Sequence, residues 1–199
     1  MGELRGSPTS PTEPAKVAVG RGRMRRIAVI ALLLAATGAG GAVAGSASEE
    51  RSRTVPCRES IDGTTFPYVG GFERRLRYRL VLGAVSAPPA YLEQEPSPTG
   101  SARWRYFSKK GLVVRAGRQQ PVFVSVVRAW RDRAGIAWGH GGHDVFSSLR
   151  IAGCPGQPNQ GYAYSGGFYL RSRSVCVPLL FRAGGRSKIL RFGVGRRCP

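Results

Sequence analysis

Residues 137–146, AWGHGGHDVF, hold both histidines of the chain, His140 and His143, with Asp144 directly behind them. Two imidazoles and a carboxylate are the side-chain types of a catalytic zinc site, which takes three protein ligands and one water. The spacing argues against that chemistry. The H-E-x-x-H arrangement sets its ligands at i and i+4 on one helix face, and Gly139, Gly141 and Gly142 oppose a helix here. On an extended chain the adjacent side chains of His143 and Asp144 point to opposite sides. A solvent-facing turn between strands is the simpler reading.

Nucleophilic chemistry has a weaker basis. HGG and Ala163-Tyr164-Ser165-Gly166-Gly167 share residues with the oxyanion loop and nucleophile elbow of lipases. That elbow needs a strand–turn–helix setting and a histidine after its serine, whereas no histidine follows His143. A His–Asp–Ser order ending at Ser165 stays open. A metal-dependent or serine hydrolase using the His140–Asp144 loop is therefore the alternative function. The acids offer no pair for acid–base work: Glu49 and Glu50 lie in the stalk, Glu93 and Glu95 in a proline-rich loop, and Asp62, Glu73 and Asp132 are isolated. No cofactor, catalytic residue or metal ligand is assigned.

The elements that must position any site are read from the charge and the cysteines. The formal charge is +20, supplied almost wholly by arginine, and such a field attracts acidic partners. Residues 1–23 read as a disordered extension, with Met24 as an alternative start. In residues 24–47, Arg25 and Arg26 precede the apolar run from Ile27 to Ala36, and Ala42-Val43-Ala44 supplies small residues for cleavage. That is a signal peptide or, uncleaved, a membrane anchor. Either reading puts the domain outside the cytoplasm, secreted or membrane-anchored. Residues 48–65 read as a flexible stalk and 66–199 as the folded domain.

Cys57, Cys154, Cys176 and Cys198 all follow the signal, an even number without a C-x-x-C pair. In an oxidising compartment they imply two disulfides with three possible pairings. Cys154–Cys176, closing the Gly/Pro/Asn loop, and Cys57–Cys198, joining the ends of the domain, are the expected pairs.

Period-two patterns dominate the rest. In RRLRYRLVL, Leu76, Tyr78, Leu80 and Leu82 alternate with Arg75, Arg77 and Arg79, which predicts a half-buried strand with an exposed arginine stripe. RWRYF sets Trp104 and Tyr106 against Arg103 and Arg105. GLVVRAG, PVFVSVVRAW, DVFSSLRIAGC, GGFYLRSRSVCVPLLFRAGG and SKILRFGVG supply further strands. Two Tyr-x-Gly-Gly-Phe pieces, Tyr68–Phe72 and Tyr164–Phe168, read as turn-to-strand entries. The expectation is an all-β, Ig-like antiparallel β-sandwich of seven to eight strands.

The runs KKGLVVRAGRQQPVFVSV, LRIAGCP, GGFYLRSRSVCVPLLFRAGG and RFGVGRRCP resemble a group of exported actinobacterial proteins with a cysteine-containing β domain. The resemblance covers residues 103–199 and rests on Cys154-Pro155, Gly166-Gly167-Phe168, Cys176-Val177-Pro178 and the Gly195–Cys198 ending. It implies a cell-envelope location and brings no catalytic residue with it.

Arg75, Arg77, Arg79, Arg103 and Arg105 are thus the candidate anion-binding residues of a non-enzymatic binding or structural module. An anionic envelope polymer, a membrane surface and an acidic protein all fit as partners. Export disfavours nucleic acid.

Overall fold

β-Branched residues at every second position make Val122–Val126 a strand with one buried face: Val122, Val124 and Val126 are buried, whereas Phe123 is 40% exposed. It is the ninth of fifteen strand segments in a computed structural model that describes residues 51–70, 77–139 and 144–199. The N-terminal extension, the signal or anchor segment, Arg75, His140 and His143 lie outside the described residues.

In chain order the segments are β1 (Ser52–Val55), β2 (Asp62–Thr65), β3 (Arg79–Val81), β4 (Val85–Ala87), β5 (Tyr91–Leu92), β6 (Ser97–Pro98), β7 (Tyr106–Lys109) and β8 (Leu112–Arg115). They continue with β9 (Val122–Val126), β10 (Ala134–Trp138), β11 (Ser148–Ile151), β12 (Gln160–Tyr164), β13 (Gly166–Leu170), β14 (Val175–Ala183) and β15 (Arg186–Val194). Two short 3₁₀ turns, Cys57–Glu59 and Arg128–Trp130, are the helical structure of the described residues. No described helix is long and apolar enough to cross a membrane. The segments outnumber the seven or eight strands expected because pieces of two to four residues, such as β5 and β6, are too short to show a period.

Three sheets result: β1-β11-β9-β14-β15-β5, β10-β13-β7-β6 and β2-β12-β8-β4-β3. Neighbours are antiparallel except β1 with β11 and β5 with β15. The smaller sheets share two chain passages. Residues 106–115 run through β7 and β8, antiparallel to residues 160–170 in β12 and β13. The Lys110 N–H donates to the Gly166 carbonyl (2.7 Å) where the passages bend. A Cβ on Gly166 would overlap the Ala137 carbonyl, and one on Gly167 the Ser108 carbonyl. The second Gly-Gly pair therefore lets three backbones close up inside a sheet and is not a turn into a strand.

One core joins all three sheets. Val124, Leu149, Leu179, Phe181 and Phe192 of the six-stranded sheet pack in a single cluster with Ile136, Trp138, Phe168, Leu112, Val114 and Tyr164. This is the expected all-β sandwich. Trp138 is fully buried, donates its indole N–H to the Lys110 carbonyl (2.8 Å) and meets Phe168 edge-on at 5.7 Å. Burying each large apolar side chain of this kind contributes about 1.5–3 kcal/mol. Pro178 sits inside β14 without breaking the ladder. Its carbonyl accepts from the Val127 N–H beyond the end of β9, so its missing donor falls where no strand residue needs one.

The stalk expectation is overturned for the described residues from 51 onward. Ser52–Val55 lies parallel to β11, and Asp62–Thr65 pairs with β12, so both are edge strands of the domain. Polar composition misled here because an edge strand buries little: Val55 is the one buried residue of β1.

The disulfides also differ from expectation. They are Cys57–Cys154 and Cys176–Cys198, and no cysteine is free. Register explains the first: Val55 pairs with Ile151, so Cys57 and Cys154 leave the same end of adjacent strands. The second follows from β14 and β15, where Cys176 pairs with Gly193 and the chain doubles back to Cys198. Cys154 and Cys176 are instead separated by β12 and β13, two strands of five residues at roughly 3.3 Å each. Two disulfides belong to an oxidising environment outside the cytoplasm.

Candidate anion-binding surface

The arginine stripe of the RRLRYRLVL run does not form as expected. Arg77 is exposed, but Arg79 is half-buried with its guanidinium 4.6 Å from the centre of the Phe192 ring. Arg79 also donates through Nε to the Pro88 carbonyl (3.1 Å) and through Nη2 to the Arg191 carbonyl (3.4 Å). Burial lowers its pKa from the usual arginine value. Leu80, expected inside, is 52% exposed, while Val81 is buried. The inward face is set by Val81, which pairs with Val85 just before the turn at Leu82 and Gly83. Arg79 shares the side of Val81 and lays its apolar stem into the core margin.

Arg103 and Arg105 are exposed, in the segment between β6 and β7. β7 begins only at Tyr106, so the expected alternation through Trp104 is replaced by a turn. There the Thr99 hydroxyl donates to the Trp104 carbonyl, and the Trp104 N–H donates to Ser101 Oγ (3.1 Å). The Arg103 guanidinium lies 5.0 Å from the Trp104 ring centre. Of the described arginines of this set, Arg79 is on β3 and Arg103 and Arg105 precede β7, a strand of a different sheet.

Stacking of arginine on aromatic rings is pervasive. Arg53 covers Phe146, Arg115 covers Phe66, Arg133 covers Trp130, Arg173 covers Tyr106 and Arg197 covers Tyr91. The arginine–aromatic interleaving of the sequence is therefore largely engaged within the domain. Phe123 differs: among the described residues no ring or guanidinium is stacked on it.

Cross-strand register gives Phe123 its neighbours. It pairs with Arg150 of β11 on one side and Arg182 of β14 on the other. The row extends to Thr54 of β1 and Ser187 of β15. One row along, Ser52, Ser148, Ser125, Leu180 and Ile189 lie abreast. These residues alternate with the buried Leu149, Ile151, Val124, Val126, Leu179 and Phe181, so they face away from the core. Arg150, Arg182 and Ile189 are exposed. No strand of this six-stranded sheet carries an aspartate or glutamate. Neither Arg150 nor Arg182 forms an ion pair with a described residue. Phe123, Arg182, Arg186, Gln120 and Ser187 also line a groove of about 570 Å³ beside the β14–β15 hairpin.

Sequence reasoning missed this row because Phe123, Arg150 and Arg182 come from three separate segments. The alternation of Val122–Val126 marks Phe123 as outward, but only register shows which arginines flank it.

Of the histidine loop, Asp144 is described and exposed. Gly139 and Asp144 flank the loop beyond the Ile136–Phe146 bridge, and the Gly139 N–H donates to the Ser165 carbonyl (2.9 Å). Among the described residues no group of three His, Cys, Asp or Glu side chains is placed to hold a metal ion. Near Gly139, Arg53 donates through Nη2 to both carboxylate oxygens of Glu59 (2.7 Å each). A Cβ on Gly139 would come within 2.5 Å of a Glu59 oxygen. Tyr164, fully buried, reaches Cys154 Sγ at 3.5 Å. Burial first, then Tyr162 and Glu59, push its pKa up to about 12.

No family model, curated protein or solved structure matches this chain.

Proposed function

We propose that the chain is an exported, non-enzymatic, Ig-like β-sandwich module of the bacterial cell envelope that contacts an anionic partner through an arginine-rich face. It is secreted, or held at the membrane by residues 24–47. Three things support export: the basic, apolar and small-residue run of residues 24–47, the two disulfides, and the resemblance of residues 103–199 to exported proteins.

The observation that carries the binding reading is the row Arg150–Phe123–Arg182 on a sheet face without acids. Two guanidiniums that form no ion pair with a described residue offer bidentate donors to carboxylate or phosphate. The proposed face is the outer side of the six-stranded sheet, in place of Arg75, Arg77, Arg79, Arg103 and Arg105.

Cosedimentation of the purified protein with isolated bacterial envelopes tests this. Charge-dominated contact weakens steeply between low ionic strength and about 0.15 M salt. Association that ignores salt, or no association at all, would refute it.

A further inference from the structure

We infer that the outer face of the six-stranded sheet binds an acidic polysaccharide, one whose sugar chain carries a carboxylate on every second residue. This rests on the anionic-partner reading above and names the partner.

Arg150 and Arg182 flank Phe123 on the two strands beside β9, so their backbones stand two strand separations apart, roughly 9–10 Å. A partner that satisfies both presents two anions at about that distance, with an uncharged element between them. The middle position is an aromatic ring, 40% exposed and not stacked on by any described residue. Charge, apolar face, charge is therefore the order the row requires. An acidic polysaccharide has that order, because the C–H face of a neutral pyranose lies between successive uronic acid carboxylates. A polyphosphate has no apolar face to offer Phe123.

The second row adds hydrogen bonding. Ser52, Ser148 and Ser125 stand abreast beside the arginine row, and each hydroxyl can both donate and accept. A run of hydroxyls suits sugar hydroxyls, which likewise both donate and accept.

Shape separates a chain from a surface. The row ends in the concave groove lined by Phe123, Arg182, Arg186 and Ser187. A linear polymer can follow such a groove along its length, whereas a planar bilayer contacts only its rim. Single-stranded nucleic acid also stacks on aromatics between basic side chains. The two disulfides, however, set this domain in an oxidising compartment.

The test is titration of the full chain, in neutral detergent, with hyaluronan decasaccharide, which carries one carboxylate per disaccharide. Comparison ligands are its carboxyl-reduced form, inorganic polyphosphate, oligothymidylate, and vesicles containing phosphatidylglycerol. The expected result is saturable binding of hyaluronan that falls at least about tenfold on carboxyl reduction and in Arg150→Ala or Arg182→Ala. Phe123→Ala weakens it about fivefold, and Phe123→Tyr, which keeps the ring, restores it. Arg103→Ala/Arg105→Ala leaves it unchanged.

Polyphosphate, oligothymidylate or vesicles binding as tightly as hyaluronan, with Phe123→Ala neutral, would overturn the polysaccharide and leave the anionic-partner reading standing. Failure of every anion to bind would overturn both.

Discussion

The Arg79 guanidinium lies 4.6 Å from the centre of the ring of Phe192, a fully buried core residue. A side chain at the centre of the most basic run is thus part of the packing. Arg79→Ala is expected to cost about 2 kcal/mol, the range of a desolvated cation–aromatic contact. Arg79→Met, which keeps an unbranched stem, costs less. Denaturant unfolding of the two variants measures this. Unchanged stability of Arg79→Ala would return the residue to the solvent-facing stripe.

How far the sequence could be read follows from the range of the information. Val122–Val126 and the Leu179–Ala183 half of β14 show their inward faces directly, because a long central strand must bury every second residue. The alternation at 75–82 failed where β3 is only three residues long and its facing is set by Val85 across the turn. Residues 51–65 were hidden because edge strands can be polar. The Arg150–Phe123–Arg182 row depends on pairings among β9, β11 and β14, distances no local pattern carries. Arginine–aromatic neighbours in sequence, such as Arg103 and Trp104, stand out as ligand surfaces, yet here they stack on each other.

Disulfide connectivity makes a second prediction. Peptide mapping without reduction should recover Cys57 joined to Cys154 and Cys176 joined to Cys198. The bridges close separations of 97 and 22 residues. Chain entropy then assigns about 4.7 kcal/mol to the longer and about 3.4 kcal/mol to the shorter. Replacing Cys57 and Cys154 by alanine should destabilise more than replacing Cys176 and Cys198. The reverse order would show that native packing, not loop closure, decides their worth.

Tyr164 predicts an alkaline limit. Its pKa rises from 10.0 in the unfolded chain to about 12 in the fold, so folding favours the neutral phenol. The associated stability is complete below pH 10 and is lost as pH rises from 10 towards 12. By pH 11 the loss amounts to about 1 kcal/mol. Urea titrations of the wild type and Tyr164→Phe at pH 9 and pH 11 should show the gap between them narrowing by that amount. Parallel pH profiles would mean that the phenol ionises equally easily in the folded and unfolded chain.

The proposed anion-binding face is the outer side of the six-stranded sheet, not the arginine run ending at Arg79. Envelope cosedimentation of Arg150→Ala/Arg182→Ala beside Arg77→Ala/Arg79→Ala, at low ionic strength, sets the two surfaces against each other. The first pair is expected to lose at least about tenfold in affinity while remaining folded, and the second pair, though less stable, to bind as the wild type does. Loss of binding confined to the second pair would contradict this.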